Sequence, residues 1–130
     1  MTEQTRLGRL ATVSGAGDPH VVPTWFAVED DRVHIHTQAK SRKAQNVAAT
    51  GKYALTVDEE TMPYKGVTVG GRAEVVGNDV VGSIALVKQL AIAHVGTESG
   101  PGYGEFIASM PGEHVPLVLH VDDAESWDFS

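Results

Sequence analysis

Eight consecutive residues, Val21 to Val28, are largely apolar on both faces of any strand they form. Val21, Pro23, Trp25 and Ala27 alternate with Val22, Thr24, Phe26 and Val28. An antiparallel strand with one solvated face alternates apolar with polar residues. A strand without that alternation needs cover on both sides. The cover is a helix, a partner subunit or a flat apolar ligand, and the fold must supply one of them.

The neighbouring segments show what kind of sheet this strand joins. Leu7 to Val13 reads as a first strand, closed by the turn Ser14-Gly15-Ala16-Gly17-Asp18-Pro19. His20 to Val28 follows, then an acidic turn, Glu29-Asp30-Asp31. Arg32 to Thr37 alternates, with Val33, Ile35 and Thr37 on one face and His34 and His36 on the other. Ser41 to Thr50 fits a short helix, with Ser41 as N-cap, Ala44, Val47 and Ala48 as the apolar stripe, and Gly51 at the C-terminus. Tyr53 to Val57 is a strand, and Asp58 to Pro63 is a loop. Gly66 to Val76 is β-rich around Gly70-Gly71, a pair that predicts a bulge or sharp bend. Asn78-Asp79 caps a helix running to about His94, whose Val80, Ile84, Val87, Leu90 and Ala91 form a packing stripe. Ser99 to Gly104 reads as a glycine-rich loop, and Leu117 to Val121 as a closing strand. Six strands and two helices in this order predict a mainly β, α+β domain over 1–130, a small antiparallel barrel with helices at its rim.

Composition narrows the function. The chain has 130 residues, 42% of them apolar, enough for one core and too apolar for disorder. It carries 17 acidic and 10 basic side chains, a net charge of −7, which disfavours non-specific nucleic-acid binding. The absence of cysteine excludes a disulfide scaffold, a thiolate metal site and a cysteine nucleophile. No signal-peptide core and no membrane-length apolar run is visible, so a soluble, cytoplasmic protein is expected.

The few cations are concentrated. Lys40, Arg42 and Lys43 fall within four positions at the start of the first predicted helix, with Lys52 just beyond its end. The helix dipole is positive there, so these charges are unfavourably placed for the helix itself. Free backbone N–H groups, a serine hydroxyl and converging cations make a phosphate site. A solvated charged turn is the competing reading.

The run His36-Thr37-Gln38-Ala39-Lys40-Ser41-Arg42-Lys43-Ala44-Gln45-Asn46-Val47 resembles the phosphate-binding segment of the pyridoxamine 5′-phosphate oxidase-like superfamily, split β-barrel proteins that bind FMN or a deazaflavin. The resemblance covers nearly the whole chain. Arg9 to Val13 with Gly17 to His20 resembles the family's first hairpin, and Pro23-Thr24-Trp25-Phe26 the strand behind the flavin ring. Pro63 to Val67, Gly71-Arg72-Ala73-Glu74 and Ser126-Trp127-Asp128 resemble its ring-edge strand, its G-x-A-E pattern and its C-terminal tryptophan motif.

The resemblance implies a six-stranded antiparallel split barrel, homodimeric, with two cofactor sites at the interface. It implies that Lys40, Ser41, Arg42 and Lys43 bind the phosphate, with His36 and Thr37 beside it. Pro23, Thr24, Trp25 and Phe26 would line the ring face, and Lys65 and Gly66 the ring edge. Trp127 would come from the partner subunit or the barrel end. Gly66 stands where the name-giving oxidase has an FMN-contacting glutamine, and that enzyme's C-terminal arginine and histidine substrate contacts have no counterpart here. The shortness and the Lys-Ser-Arg-Lys run are more similar to the branch that uses coenzyme F-420. The implied activity is hydride transfer between F-420 and a small unsaturated or quinone-like substrate. The alternatives are an FMN-dependent oxidase-like enzyme and a non-catalytic flavin, F-420 or haem storage protein.

Donors for charge developing on the acceptor would be His36, Tyr64 or Lys65. His34 and His36 share a strand face, but no third ligand stands at a telling spacing and no metal is expected. His94, His114 and His120 read as structural or exposed, and Trp25 as core or ring-slot lining.

Overall fold

The computed structural model describes residues 7–58, 65–76, 80–96, 98–110 and 112–128. The expected loop after Asp58, Tyr64, the Asn78-Asp79 cap and Phe129 lie outside them. The elements run β1 (Gly8–Val13), β2 (Pro19–Thr24), β3 (Ala27–Glu29), β4 (Arg32–Gln38), α1 (Arg42–Thr50), β5 (Lys52–Asp58), β6 (Lys65–Val75), α2 (Val80–Val95), α3 (Gly100–Ala108), β7 (His114–His120) and β8 (Asp123–Asp128).

All strand pairings are antiparallel, in the order β2-β1-β5-β6-β7-β4-β3, with β8 also on β6. The two ends of that path, β2 and β3, are separated only by Trp25 and Phe26. The expected strand His20 to Val28 is therefore two strands. Its first half pairs with β1 and its second with β4, which curls the sheet back on itself. Asp30 and Asp31 both adopt positive φ (53° and 61°), the two-residue turn that matches strand twist between β3 and β4.

Gly70-Gly71 does what the sequence predicts. Up to this pair β6 lies between β5 and β8, and from Ala73 it pairs with β7. Gly71 has φ +146°, and a Cβ there would collide with the Asp122 carboxylate. Only glycine lets the strand change partners at this point.

The core fills the curl. Leu10, Ile35, Leu55, Leu117 and Leu119 are fully buried, joined by Phe26, Val33, Tyr53 and Val57. Helix α1 adds Ala44 and Val47 to it. Buried Asn46 donates through Nδ2 to Thr12 Oγ1 (3.0 Å), and Thr50 Oγ1 donates to the Val13 carbonyl (3.2 Å), so α1 is pinned to β1. Helices α2 and α3 lie outside, with α2 across the outward faces of β4 and β7.

Two sequence expectations are corrected. Eight strands are described rather than six, because the second strand breaks and the C-terminal segment pairs with β6. The expected loop Ser99 to Gly104 is the start of α3. Its glycines are close-packing positions rather than turn formers. A Cβ on Gly100 would lie 2.6 Å from Ile92 Cα, and one on Gly104 3.1 Å from Lys88 Cα. Pro101 occupies the first turn, where its missing N–H costs nothing.

Candidate functional site

The start of α1 is built by Ser41. Its extended backbone and its hydroxyl, which accepts from the Ala44 N–H at 3.2 Å, make it the N-cap. Thr37 Oγ1, buried at the end of β4, lies 2.8 Å from the same hydroxyl. The N–H groups of Arg42 and Lys43 have no partner within the helix. Lys40 and Arg42 are exposed and Lys43 is half-buried. Among the described residues none of the three has an ion-pair partner. Desolvation lowers the Lys43 pKa, as expected of an ammonium taken out of water without a counter-ion.

Lys43 also connects this cluster to His36, whose pKa is lowered to about 4 by burial first, then by His114 and by the Lys43 charge. His36 forms part of the wall of a cavity of about 290 Å³, with Leu7, Pro23, Thr24, Trp25, Val87, Leu90, Tyr103 and Ile107. The Trp25 ring stacks on His94 (centroids 5.2 Å apart, planes at 14°) and lies 5.6 Å from Tyr103. The helix pair α2–α3 thus covers Trp25. The two ends of the doubly apolar stretch remain uncovered, for Val21 is 65% and Val28 53% exposed.

Of the residues singled out in the sequence, Pro23, Thr24, Trp25 and His36 meet at this cavity; Thr37 and Lys40 to Lys43 are not among its lining residues, and Lys43 acts on it through its charge on His36. Phe26 does not line it; its ring points into the core and is 7% exposed. Lys65, Gly66 and Trp127 are not among its lining residues. Gly66 pairs with Trp127 across β6 and β8, and a Cβ on Gly66 would lie 2.6 Å from Trp127 Cζ2. Trp127 therefore packs on its own chain, and Gly66 is the residue that lets it.

His36 Nε2 lies 2.9 Å from His114 Nδ1, and His114 Nε2 lies 2.8 Å from the Met110 carbonyl. His114 is 5% exposed, so it is a structural partner of His36 and not a surface group. Sequence reasoning missed this pair because the residues are 78 apart and meet only through the β4–β7 register. His34 lines a second cavity, of about 320 Å³, beneath the other side of α2. Among the described residues no three histidine or acidic side chains gather as a metal site would require.

A family model described as pyridoxamine 5′-phosphate oxidase matches residues 1–128. The chain belongs to that family. Its fold agrees: a structure described as an F420 reductase is 26% identical, with a TM-score of 0.73 over 95% of this chain and 92% of that one. A conserved hypothetical protein of Mycobacterium tuberculosis is 25% identical, with a TM-score of 0.77 over 95% of this chain and 78% of that one. In sequence, 56 residues are 41% identical to the 5a,11a-dehydrotetracycline/5a,11a-dehydrooxytetracycline reductase of Streptomyces rimosus, covering 40% of this chain and 39% of that protein. The chain spans about two-fifths of the length of that relative. Among the described residues no helix is long and apolar enough to cross a membrane.

Proposed function

We propose that this member of the oxidase family is a reductase that uses a phosphate-bearing flavin or deazaflavin, with F-420 preferred over FMN, and a small unsaturated or quinone-like acceptor. One observation carries the reading: a capped helix start bears three cations with no ion-pair partner among the described residues, one of them half-buried and near enough for its charge to act on the cavity-lining His36. A half-buried ammonium is costly until an anion joins it. The donor set fits a phosphate: backbone N–H groups at a helix start, two lysines and an arginine. The reductase relative and the F420 reductase of similar fold support the reaction class.

The residues divide the work. Arg42, Lys43 and Lys40 hold the phosphate, and the first-turn N–H groups of α1 add the helix dipole. The Ser41 hydroxyl keeps those groups in place rather than reaching out, because it is engaged by Ala44 N and Thr37. Pro23, Thr24 and Trp25 present an apolar wall that excludes water. The cofactor, when bound, supplies the hydride. Burial keeps the His36 ring uncharged at neutral pH, so it offers the site a neutral imidazole rather than a cation. Lys65 lies on β6, away from this cavity.

The functional unit we propose is a homodimer, in which the partner covers exposed Val21 and Val28. Sedimentation at micromolar concentration checks this, and a monomer refutes it. Turnover tests the main reading. Reduced F-420 and reduced FMN, each mixed with the protein and a panel of quinones and enones, should be oxidised faster than without protein. Tight binding with no oxidation by any acceptor would instead make this a storage protein.

A further inference from the structure

The cavity beside the cation cluster has its own polar group, and its hydrogen-bonding state follows from the chain behind it. The Met110 carbonyl only accepts, so His114 Nε2 carries a hydrogen and donates to it. In that tautomer the other His114 nitrogen, Nδ1, is a lone pair, and His36 Nε2–H donates to it at 2.9 Å. His36 Nδ1 is then a bare acceptor. Among the described residues it has no protein partner, yet it is not among the buried atoms left without one, so it is accessible on the residue that lines the cavity. The Thr24 hydroxyl, which donates to the Trp25 carbonyl (3.1 Å), and the Tyr103 hydroxyl belong to the other polar lining residues, but each of these hydroxyls also carries a hydrogen, whereas His36 Nδ1 only accepts. The ring remains uncharged at neutral pH, because burial holds its pKa near 4.

We propose that this cavity is a subsite for an uncharged ring compound bearing a hydroxyl donor, a phenol or enol, whose hydrogen His36 Nδ1 accepts while its ring lies against the touching Trp25 and Tyr103 rings. The volume, about 290 Å³, is at the small end for ligand pockets, roughly 300–1,000 Å³, and suits one or two fused rings. Only the statement that this compound is the substrate rests on the reductase reading. The recognition itself does not. His114 is a positioning residue: it fixes which nitrogen of His36 carries the hydrogen.

The experiment compares 2-naphthol with 2-methoxynaphthalene, the same ring without a donor, by calorimetry at pH 7 on the full chain. We expect the naphthol to bind about five- to tenfold more tightly, the worth of one uncharged hydrogen bond. In His36→Phe that preference disappears while ring binding persists. His36→Leu serves the same purpose if the phenylalanine variant does not fold. In His114→Leu the preference shrinks, because the tautomer is no longer fixed. Equal binding of the two compounds to the native protein, absence of binding by both, or a preference that survives at full size in a His36 variant overturns the proposal. Saturating FMN or F-420 should leave naphthol bound. Displacement would assign the cavity to the cofactor ring and refute its role as a substrate subsite. If neither cofactor binds at all, the reductase reading fails and the naphthol comparison still stands on its own.

Discussion

Two regions meet at His36 and recognise by different means. At the start of α1 the charges have no ion-pair partner among the described residues and two of the three cations are exposed; under α2–α3 the polar groups are bonded in a chain and the walls are aromatic. The molecule does pair cations elsewhere. Arg72 grips Asp122 through backbone N–H, Nε and Nη2, which holds the Asp122 carboxyl below its usual range. That pair fastens the bend at Gly71 and has a structural task. The cations of α1 have none, and α1 is secured without them by Ala44, Val47, Asn46 and Thr50. Charge that stabilises the fold is paired within the fold, and charge left over is available to a ligand.

The largest expected effect would separate the two regions outright. Arg42→Ala with Lys43→Ala should weaken cofactor binding by about 3–6 kcal/mol, two charge-assisted contacts at about 1.5–3 each. The melting temperature should not fall, since the variant removes a half-buried unpaired ammonium. A melting temperature that drops with affinity unchanged would make the cluster structural.

Next is the helix pair over the cavity. Gly100→Ala forces a methyl against Ile92 backbone and should cost about 1–3 kcal/mol of stability in denaturant unfolding. An effect near zero would mean that α3 does not pack on α2 through this glycine.

The histidine chain gives a pH signature. His36 binds a proton more readily unfolded than folded, so the unfolded state takes up more protons between about pH 6.5 and pH 4. Stability should fall as pH drops through that window, by on the order of 2 kcal/mol after allowance for partial solvation of the ring. His36→Gln should flatten the slope by that amount. An unchanged slope would show that burial of His36 is not coupled to folding. The smallest effect is at the cap: Ser41→Ala should cost about 1 kcal/mol of stability, and less cofactor affinity than the double variant. A larger loss of affinity than of stability would return the serine hydroxyl to direct phosphate contact.

The sequence made one of the two regions legible and not the other. The α1 site is local. Cap, stripe, cations and terminal glycine lie within Lys40 to Gly51, and the helix Arg42–Thr50 with Ser41 as cap and Gly51 left-handed agrees, except that Ala48 of the expected stripe is exposed and Asn46 is buried instead. The alternation of β4 also held, with Val33, Ile35 and Thr37 buried and His34 and His36 outward. The cavity is assembled from β2, β4, α2 and α3. Its histidine pair depends on strand register, and its helix α3 is disguised by glycines whose role is close approach. A glycine read locally is a turn; only packing reveals the other use. The break of the second strand at Trp25-Phe26 was hidden for a related reason, since an unbroken apolar run carries no mark of where it changes partners.

If the α1 cations anchor a phosphate, titration of native protein and the Arg42→Ala, Lys43→Ala variant with F-420 and with FMN will show it, with Arg72→Ala as the paired-cation control. The native protein should bind saturably and more tightly to F-420, the double variant should lose at least a hundredfold in affinity, and the control should retain it. Equal affinity in native protein and double variant would make the cluster a solvated turn and not an anchor.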